Sequence, residues 1–480
     1  MSLQKIPRPS VHFSIPENWM NDPNGLIFYR GQYHLFFQYN PKNIIWGPMH
    51  WGHAVSENLK DWEMLPLALA PDDNGMVFSG SAVYDRNNTT GLFSDAGLAV
   101  LYTSARFLSP IEGILGNKEN IQTQSLAYSE NGKVWTKYKN NPVIPNPGTK
   151  DFRDPKVFQN RETGLWNMVV SGGTEVLFYE SGNLIDWNFL SSFSWPDNPD
   201  PPIFECPDLI CFETPEGKRW ALIVGVMKGN PNTGSGVVCF IGKYGNGVFS
   251  VTDDGGVSFF DHGGEFYAAQ TWSNLPDDRK LLIGWMANLE YAESVPADTW
   301  RGVMSMPREL ELRKREGKYR IYQYPSSDVV STGEQGFQKD LYLDDKETGK
   351  SVSLPDGPFR IDVQFRKQGG RQLLRLVSST SEMVSLVYEP KKNTLTINRS
   401  ASGVVRHLPT ESLHQSVKLS EEKRVDVSVF LDLPCMEVFC NNGEAVFSNL
   451  VFPGKPYSAA VISMEEGANI PVTISIRKIG

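Results

Sequence analysis

Gly25-Leu-Ile-Phe-Tyr-Arg-Gly-Gln32 runs directly into Tyr33-His-Leu-Phe-Phe37, which reads as an apolar strand, a short Arg-Gly turn and a second apolar strand. The pairing returns four times. Leu98-Ala-Val-Leu-Tyr102 ends a second unit, Lys156-Val-Phe158 joins Trp166-Asn-Met-Val-Val170 in a third, Asp208-Leu-Ile210 joins Trp220-Ala-Leu-Ile-Val224 in a fourth, and Lys280-Leu-Leu-Ile-Gly284 ends a fifth. Three of the units are followed by the pattern S-x-N-x-x-x-W, at Ser56 to Trp62, Ser129 to Trp135 and Ser181 to Trp187. Five such units over roughly 300 residues predict a β-propeller of five four-stranded blades. The competing reading is a β-sandwich with fortuitous hairpins.

Beyond Pro325 the texture changes. Residues 326–350 are rich in Ser, Gly, Asp and Lys, as expected of a linker or domain boundary. The remainder alternates apolar and polar positions in short runs such as Phe359-Arg-Ile-Asp-Val-Gln-Phe365 and Arg424-Val-Asp-Val-Ser-Val-Phe430, the pattern of a β-sandwich. The expected organisation is therefore all-β: a five-bladed propeller over residues 1–325, a boundary over 326–350 and a sandwich over 351–480. A chain of 480 residues is long enough for two buried cores, and its 12 Trp, 42 Gly and 32 Pro suit a turn-rich β protein.

A net charge of −9 without a basic run argues against nucleic acid or an anionic membrane as partner, because both require clustered Lys and Arg. A neutral small molecule fits better. The five cysteines are odd in number, and neither Cys206/Cys211 nor Cys435/Cys440 has the spacing of a zinc site, so no metal and no disulfide framework is expected. The N-terminal stretch lacks the apolar core of a signal peptide, which leads to the expectation of a cytoplasmic protein, with secretion and removal of a leader as the alternative.

Each of the five units also carries a short polar motif ahead of its second strand: Trp19-Met-Asn-Asp22-Pro-Asn-Gly, Phe78-Ser-Gly-Ser, Phe152-Arg-Asp154-Pro, Phe204-Glu205-Cys-Pro-Asp and Glu265-Phe-Tyr267-Ala-Ala-Gln. In a propeller the first strand of each blade lines the axis, so equivalent positions converge at one end of the channel. Five motifs then make one pocket holding three carboxylates, an Arg, an Asn, a Ser, a Tyr and several aromatics. Clustered carboxylates among Trp and Phe suit sugar chemistry: one carboxyl attacks or activates water, another protonates the leaving oxygen, and aromatic faces cover the C–H faces of the ring. A lone Asp-Pro pair is more often a turn, and Asp72 and Asp197 are read that way. Asp22 and Asp154 recur at the same place in the repeat, which favours function.

In the order WMNDPNG, FFQYNP, WGHA, FSGSA, FRDPKVF, ECPDL and FYAAQT, the motifs resemble glycoside hydrolase family 32, the β-fructofuranosidase, invertase and exo-fructanase family. The likeness runs from about His12 to Leu312, and the segment from Asp432 to Glu444 resembles that family's sandwich domain. The resemblance implies a retaining mechanism without cofactor: Asp22 as nucleophile at the anomeric carbon, Glu205 as acid/base, and Asp154 as stabiliser of the transition state. It also implies that Trp19, Asn21, Gln38, Trp46, Phe78, Ser79, Arg153 and Tyr267 line the fructose subsite. Two departures, Phe204 and Leu289 where relatives often have Trp, are expected near the leaving group.

The expected partner is a small or oligomeric fructose-containing sugar, with sucrose as the first reading. Sucrose 6-phosphate, the fructose ends of inulin or levan, and fructosyl transfer are alternatives that use the same carboxylates. A catalytically silent sugar-binding protein is the reading from another class, and presence of all three carboxylates weighs against it. The sandwich is read as a support for the propeller, with oligomerisation as a second role open to it.

Overall fold

In the computed structural model, the described residues are 6–107, 120–232, 234–330, 337–343, 349–420, 423–465 and 470–479. Five sheets follow one another along the chain. Blade I comprises Asn18–Tyr29, Gln32–Asn40, His50–Ser56 and Glu63–Leu69; blade II Met76–Asp85, Gly97–Phe107, Asn120–Ser129 and Thr136–Lys137; blade III Phe152–Gln159, Trp166–Gly172, Glu175–Ser181 and Asn188–Ser194. Blade IV comprises Phe204–Phe212, Arg219–Val226, Gly236–Gly245 and Val248–Phe259, and blade V Tyr267–Thr271, Leu281–Trp285, Arg308–Arg315 and Lys318–Pro325. The first strand of each blade touches the first strand of the next, and that of blade V touches that of blade I, so the five form a closed ring. This is the expected propeller.

Burial explains why the inner strands read as unbroken apolar runs. Asn18–Tyr29 is buried along almost its whole length, whereas the outermost strand of the same blade, Glu63–Leu69, is largely exposed. The ring is closed by backbone pairing. Asn18 and Trp19 lie parallel to Trp300 and Arg301, and Ser273 exchanges hydrogen bonds with Leu26 and Phe28. The S-x-N-x-x-x-W pattern is the turn from third to fourth strand in blades I, II and III. In the first, Asn58 Oδ1 accepts the amides of Lys60 and Asp61 at 3.1 and 2.8 Å, and Trp62 Nε1 donates to the Leu59 carbonyl at 3.0 Å. The residue after Asn is left-handed in all three, with φ of 63° at Leu59, 75° at Gly132 and 63° at Leu184.

Every inner strand is bulged at its polar motif. Register shifts fall between Met20 and Pro23, Val77 and Gly80, Glu205 and Asp208, and Tyr267 and Gln270, and in blade III opposite Arg153 to Lys156. Asp154, Cys206 and Ala268 occupy equivalent bulge positions with φ of 67°, 47° and 49°. A bulge re-aims side chains that a regular ladder would hold to its alternating faces, and left-handed non-glycine residues concentrate at functional sites.

The C-terminal part is two packed six-stranded antiparallel sheets around one apolar core that includes Phe359, Ile361, Leu386, Tyr388, Val429 and Phe447. Within the interval read as a boundary, Ser327–Val330 form a helical turn and Phe337–Leu343 pair with Ile470–Lys478 as an edge strand. Edge strands tolerate polar composition, which is why this one resembles a linker in sequence. No helix among the described residues is long and apolar enough to cross a membrane.

Buried charges join the two parts. His12 lies 3.0 Å from Asp432 and 3.3 Å from Glu437, and Glu437 also pairs with Arg308. Burial opposes a charge on His12, but the two carboxylates outweigh it and raise the imidazole to about 9. A histidine raised in the folded state contributes stability fully below its unfolded value near 6.5 and loses it as pH climbs through about 9. The His12→Gln variant should therefore melt several degrees below wild type at pH 6, with the gap closing toward pH 10 in thermal melts.

Candidate active site

Because the bulges are equivalent, Arg153, Glu205 and Tyr267 stand at the same position in blades III, IV and V. They meet at one point. Arg153 Nε and Nη2 both lie 3.0 Å from Glu205 Oε1, and the Tyr267 hydroxyl donates to Oε2 at 2.5 Å. Asp154 and Cys206, one residue further on, also meet: the Cys206 amide donates to Asp154 Oδ2 at 2.9 Å. The Cys206 thiol then bridges to blade I, lying 3.5 Å from Asp22 Oδ2 and 3.6 Å from Asp154 Oδ2. All three carboxylates are thus within one residue of Cys206 or in contact with it.

Asp22 is held from two sides. Ser79 Oγ donates to Oδ2 at 2.6 Å and Asn21 Nδ2 to Oδ1 at 3.1 Å. Burial lifts its pKa above the ordinary carboxylate value, the Ser79 hydrogen bond opposes this, and the nearby Glu205 adds to the rise. Asp154 is likewise raised by burial, against the pull of Arg153 and with repulsion from Glu205 and Asp22. Arg153 remains charged, since the carboxylates around it outweigh its own burial. Its Nη1 also donates to Asp151 at 2.6 Å and to Gln122 at 3.3 Å, which fixes the plane of the guanidinium.

The Ser79→Ala variant removes the strongest hydrogen bond to Asp22 and should raise its pKa further. The acid limb of kcat/KM against pH is then expected to move upward, so that activity at pH 5 falls more than activity at pH 7.

The other residues read from the motifs divide into those at the cluster and those behind it. Trp19 is buried, donates from Nε1 to Asn21 Oδ1 at 2.8 Å and packs edge-on to Trp285, so it acts by orienting Asn21. Gln38 is buried and donates to the Val77 carbonyl at 3.0 Å, tying blade I to blade II. Trp46 and Phe78 are half-buried and meet edge to face at 6.0 Å. The loop carrying Trp46 is pinned by Asn40 Nδ2 and Arg301 Nη1, which donate to the Ile45 and Ile44 carbonyls at 3.0 and 2.9 Å. Phe204 does not face the leaving group. It is fully buried between blades III and IV, against Phe240, on the opposite side of the strand from Glu205.

Several contributors were not singled out from sequence. Asn24 is fully buried and connects the Asp22 carbonyl, at 2.6 Å, to the Gly80 amide, at 3.0 Å. Thr103 Oγ1 receives the Asp154 amide at 2.9 Å, and Gln124 supports Thr103 at 2.9 Å. Asn24 and Cys206 lie inside quoted motifs and were findable there. Thr103, Gln122 and Gln124 come from second and third strands and carry no local signal.

A propeller with an appended sandwich, its inner strands bringing paired carboxylates together among aromatic side chains, defines a glycoside hydrolase. The chain belongs to glycosyl hydrolases family 32: residues 12–325 match the model of that family's N-terminal domain and residues 329–478 that of its C-terminal domain. A levanase of Bacillus subtilis is 37% identical, the match covering 93% of this chain and 67% of the levanase. An extracellular exo-inulinase of Aspergillus niger is 34% identical over 98% of this chain and 94% of its own length. Among solved structures, the exo-inulinase of Aspergillus awamori superposes with a TM-score of 0.88 at 32% identity, covering 100% of this chain and 99% of that one. The β-fructofuranosidase of Schwanniomyces occidentalis does so with 0.85 at 26%, covering 100% and 99%.

Proposed function

We propose that this enzyme removes terminal β-fructosyl units from fructans and from sucrose by a retaining mechanism, with Asp22 as nucleophile, Glu205 as acid/base and Asp154 as transition-state stabiliser. The observation that carries the reading is the shared contact of Asp22 and Asp154 with Cys206, next in sequence to Glu205, which gathers the three carboxylates around one reacting centre. Asp22 attacks the anomeric carbon while Glu205 delivers a proton to the departing oxygen. Water then enters, Glu205 takes its proton, and fructose leaves. With donors on both of its oxygens, Glu205 stands in the arrangement of a carboxylate ready for that second step. In its ionised form Asp154 stabilises the oxocarbenium-like transition state and, with Arg153, holds ring hydroxyls.

The similar levanase and exo-inulinases favour fructan ends over sucrose as the main substrate, which shifts the weight placed on sucrose by the sequence. The extracellular exo-inulinase also favours secretion over the cytoplasmic location expected from the N-terminal stretch. The test is fructose release from levan, inulin, sucrose, raffinose and sucrose 6-phosphate side by side. Higher kcat/KM on levan or inulin than on sucrose 6-phosphate is expected, and the reverse order would overturn the substrate reading. A product with inverted anomeric configuration, followed by NMR at early times, would overturn the mechanism.

A further inference from the structure

The sandwich reaches toward the active site along one connector. Between the outermost strand of blade IV and the innermost strand of blade V, residues 260–266 cross back to the axis, and this crossing is fastened to the sandwich strand Ala445–Leu450. The His262 amide donates to the Val446 carbonyl at 2.7 Å and the Glu265 amide to the Ser448 carbonyl at 3.1 Å. In return the Ser448 amide donates to Asp261 at 2.9 Å and the Leu450 amide to Glu265 Oε2 at 3.0 Å. The approach is too close for side chains on the connector: a Cβ at Gly263 would meet the Ser448 oxygen at 2.0 Å, and one at Gly264 would meet Arg399 Nη2 at 2.3 Å.

The three residues that follow point in three directions. Glu265, fully buried, is gripped by Arg399 Nη1 at 2.8 and 2.6 Å and receives the Tyr291 hydroxyl at 2.6 Å. Phe266 lies under the Arg308 guanidinium at 4.2 Å. Tyr267 turns into the active site and donates to Glu205 Oε2 at 2.5 Å. Arg399 itself is fully buried and anchored by Nε to the Ser412 carbonyl at 3.0 Å, so its head group has little freedom. We propose that Arg399 of the sandwich is a positioning residue for the reaction, holding Glu265 so that Tyr267, two residues on, sets the carboxyl of Glu205 for proton transfer to the leaving group. The sandwich thereby takes part in catalysis as well as supporting the propeller.

The inference rests on Glu205 being the acid/base, and the test separates the two. kcat/KM reports the fructosylation step, so it is compared on the best natural substrate, whose leaving oxygen needs a proton, and on β-fructofuranosyl fluoride, whose leaving group needs little help. The Glu205→Gln variant calibrates the assay and should lose about 100-fold or more on the natural substrate and far less on the fluoride. Equal losses for Glu205→Gln would sink the acid/base assignment. With that control in place, Arg399→Gln should lose about 10-fold on the natural substrate and less than about 2-fold on the fluoride, and Arg399→Lys, which keeps the charge, should recover much of the loss. Equal losses on both substrates, or none, overturn the role given to Arg399. Should Arg399→Gln fail to fold, Arg399→Lys carries the same comparison, with a smaller but still selective loss expected and an unselective or absent one decisive against it.

Discussion

The Asp22→Asn variant is expected to keep the fold and melting behaviour of the wild type while losing turnover of fructosyl substrates by a factor on the order of 10^4 or more. Asparagine retains the volume of the side chain: its Oδ1 can still accept from Asn21 Nδ2, and its Nδ2, standing where Oδ2 stood, can donate to Ser79 Oγ once that hydroxyl turns, so the packing of blades I and II is kept. What goes, on the proposed mechanism, is the carboxylate that forms the covalent bond. Circular dichroism and thermal melts beside initial rates on levan, inulin and sucrose make the measurement. A variant that retains a tenth of wild-type activity would remove Asp22 from the role of nucleophile.

The Asp154→Asn variant should separate stability from activity in opposite directions. Burial pushes the Asp154 carboxyl up to about 7, against the opposing charge of Arg153. For a carboxylate raised above its unfolded value near 3.8, the folded state holds the proton longer than the unfolded chain does. Stability is therefore lost as pH rises from about 4 toward about 7, and the full penalty stands above that range. Asparagine cannot ionise and still accepts the Cys206 amide, so the variant should melt a few degrees higher than wild type at pH 8 and equally at pH 4. On the proposed mechanism its activity should fall about 10^3-fold, because the lost charge faces the developing oxocarbenium. A lower melting temperature at pH 8 would show that the pairing of Asp154 with Arg153 outweighs its desolvation.

The two aspartates show how a site of this kind is encoded. Both were legible because each sits in a short motif at a recurring place, and recurrence in a propeller means convergence on the axis. Trp19 and Gln38 were legible as members of motifs but not as to what they touch: one orients Asn21 and the other joins two blades. Phe204 was expected near the leaving group from the family resemblance, whereas the bulge between Glu205 and Asp208 turns Glu205 and Cys206 inward and leaves Phe204 in the core. A β-bulge has no residue signature comparable to that of a turn, so its position follows from packing between neighbouring blades.

By itself the sequence determined the blade count, the sandwich and the motifs that carry the three carboxylates, because hairpin periodicity and motif order are properties of the chain taken a few residues at a time. Only the tertiary structure decided that Arg153, Glu205 and Tyr267 are equivalent and touch, that Cys206 lies between Asp22 and Asp154, and that Arg399 reaches Glu265 across 134 positions of sequence. Those contacts depend on ring closure and on the docking of the sandwich, where partners are brought together by the burial of surfaces far apart along the chain, and no local pattern records which residue will stand opposite another.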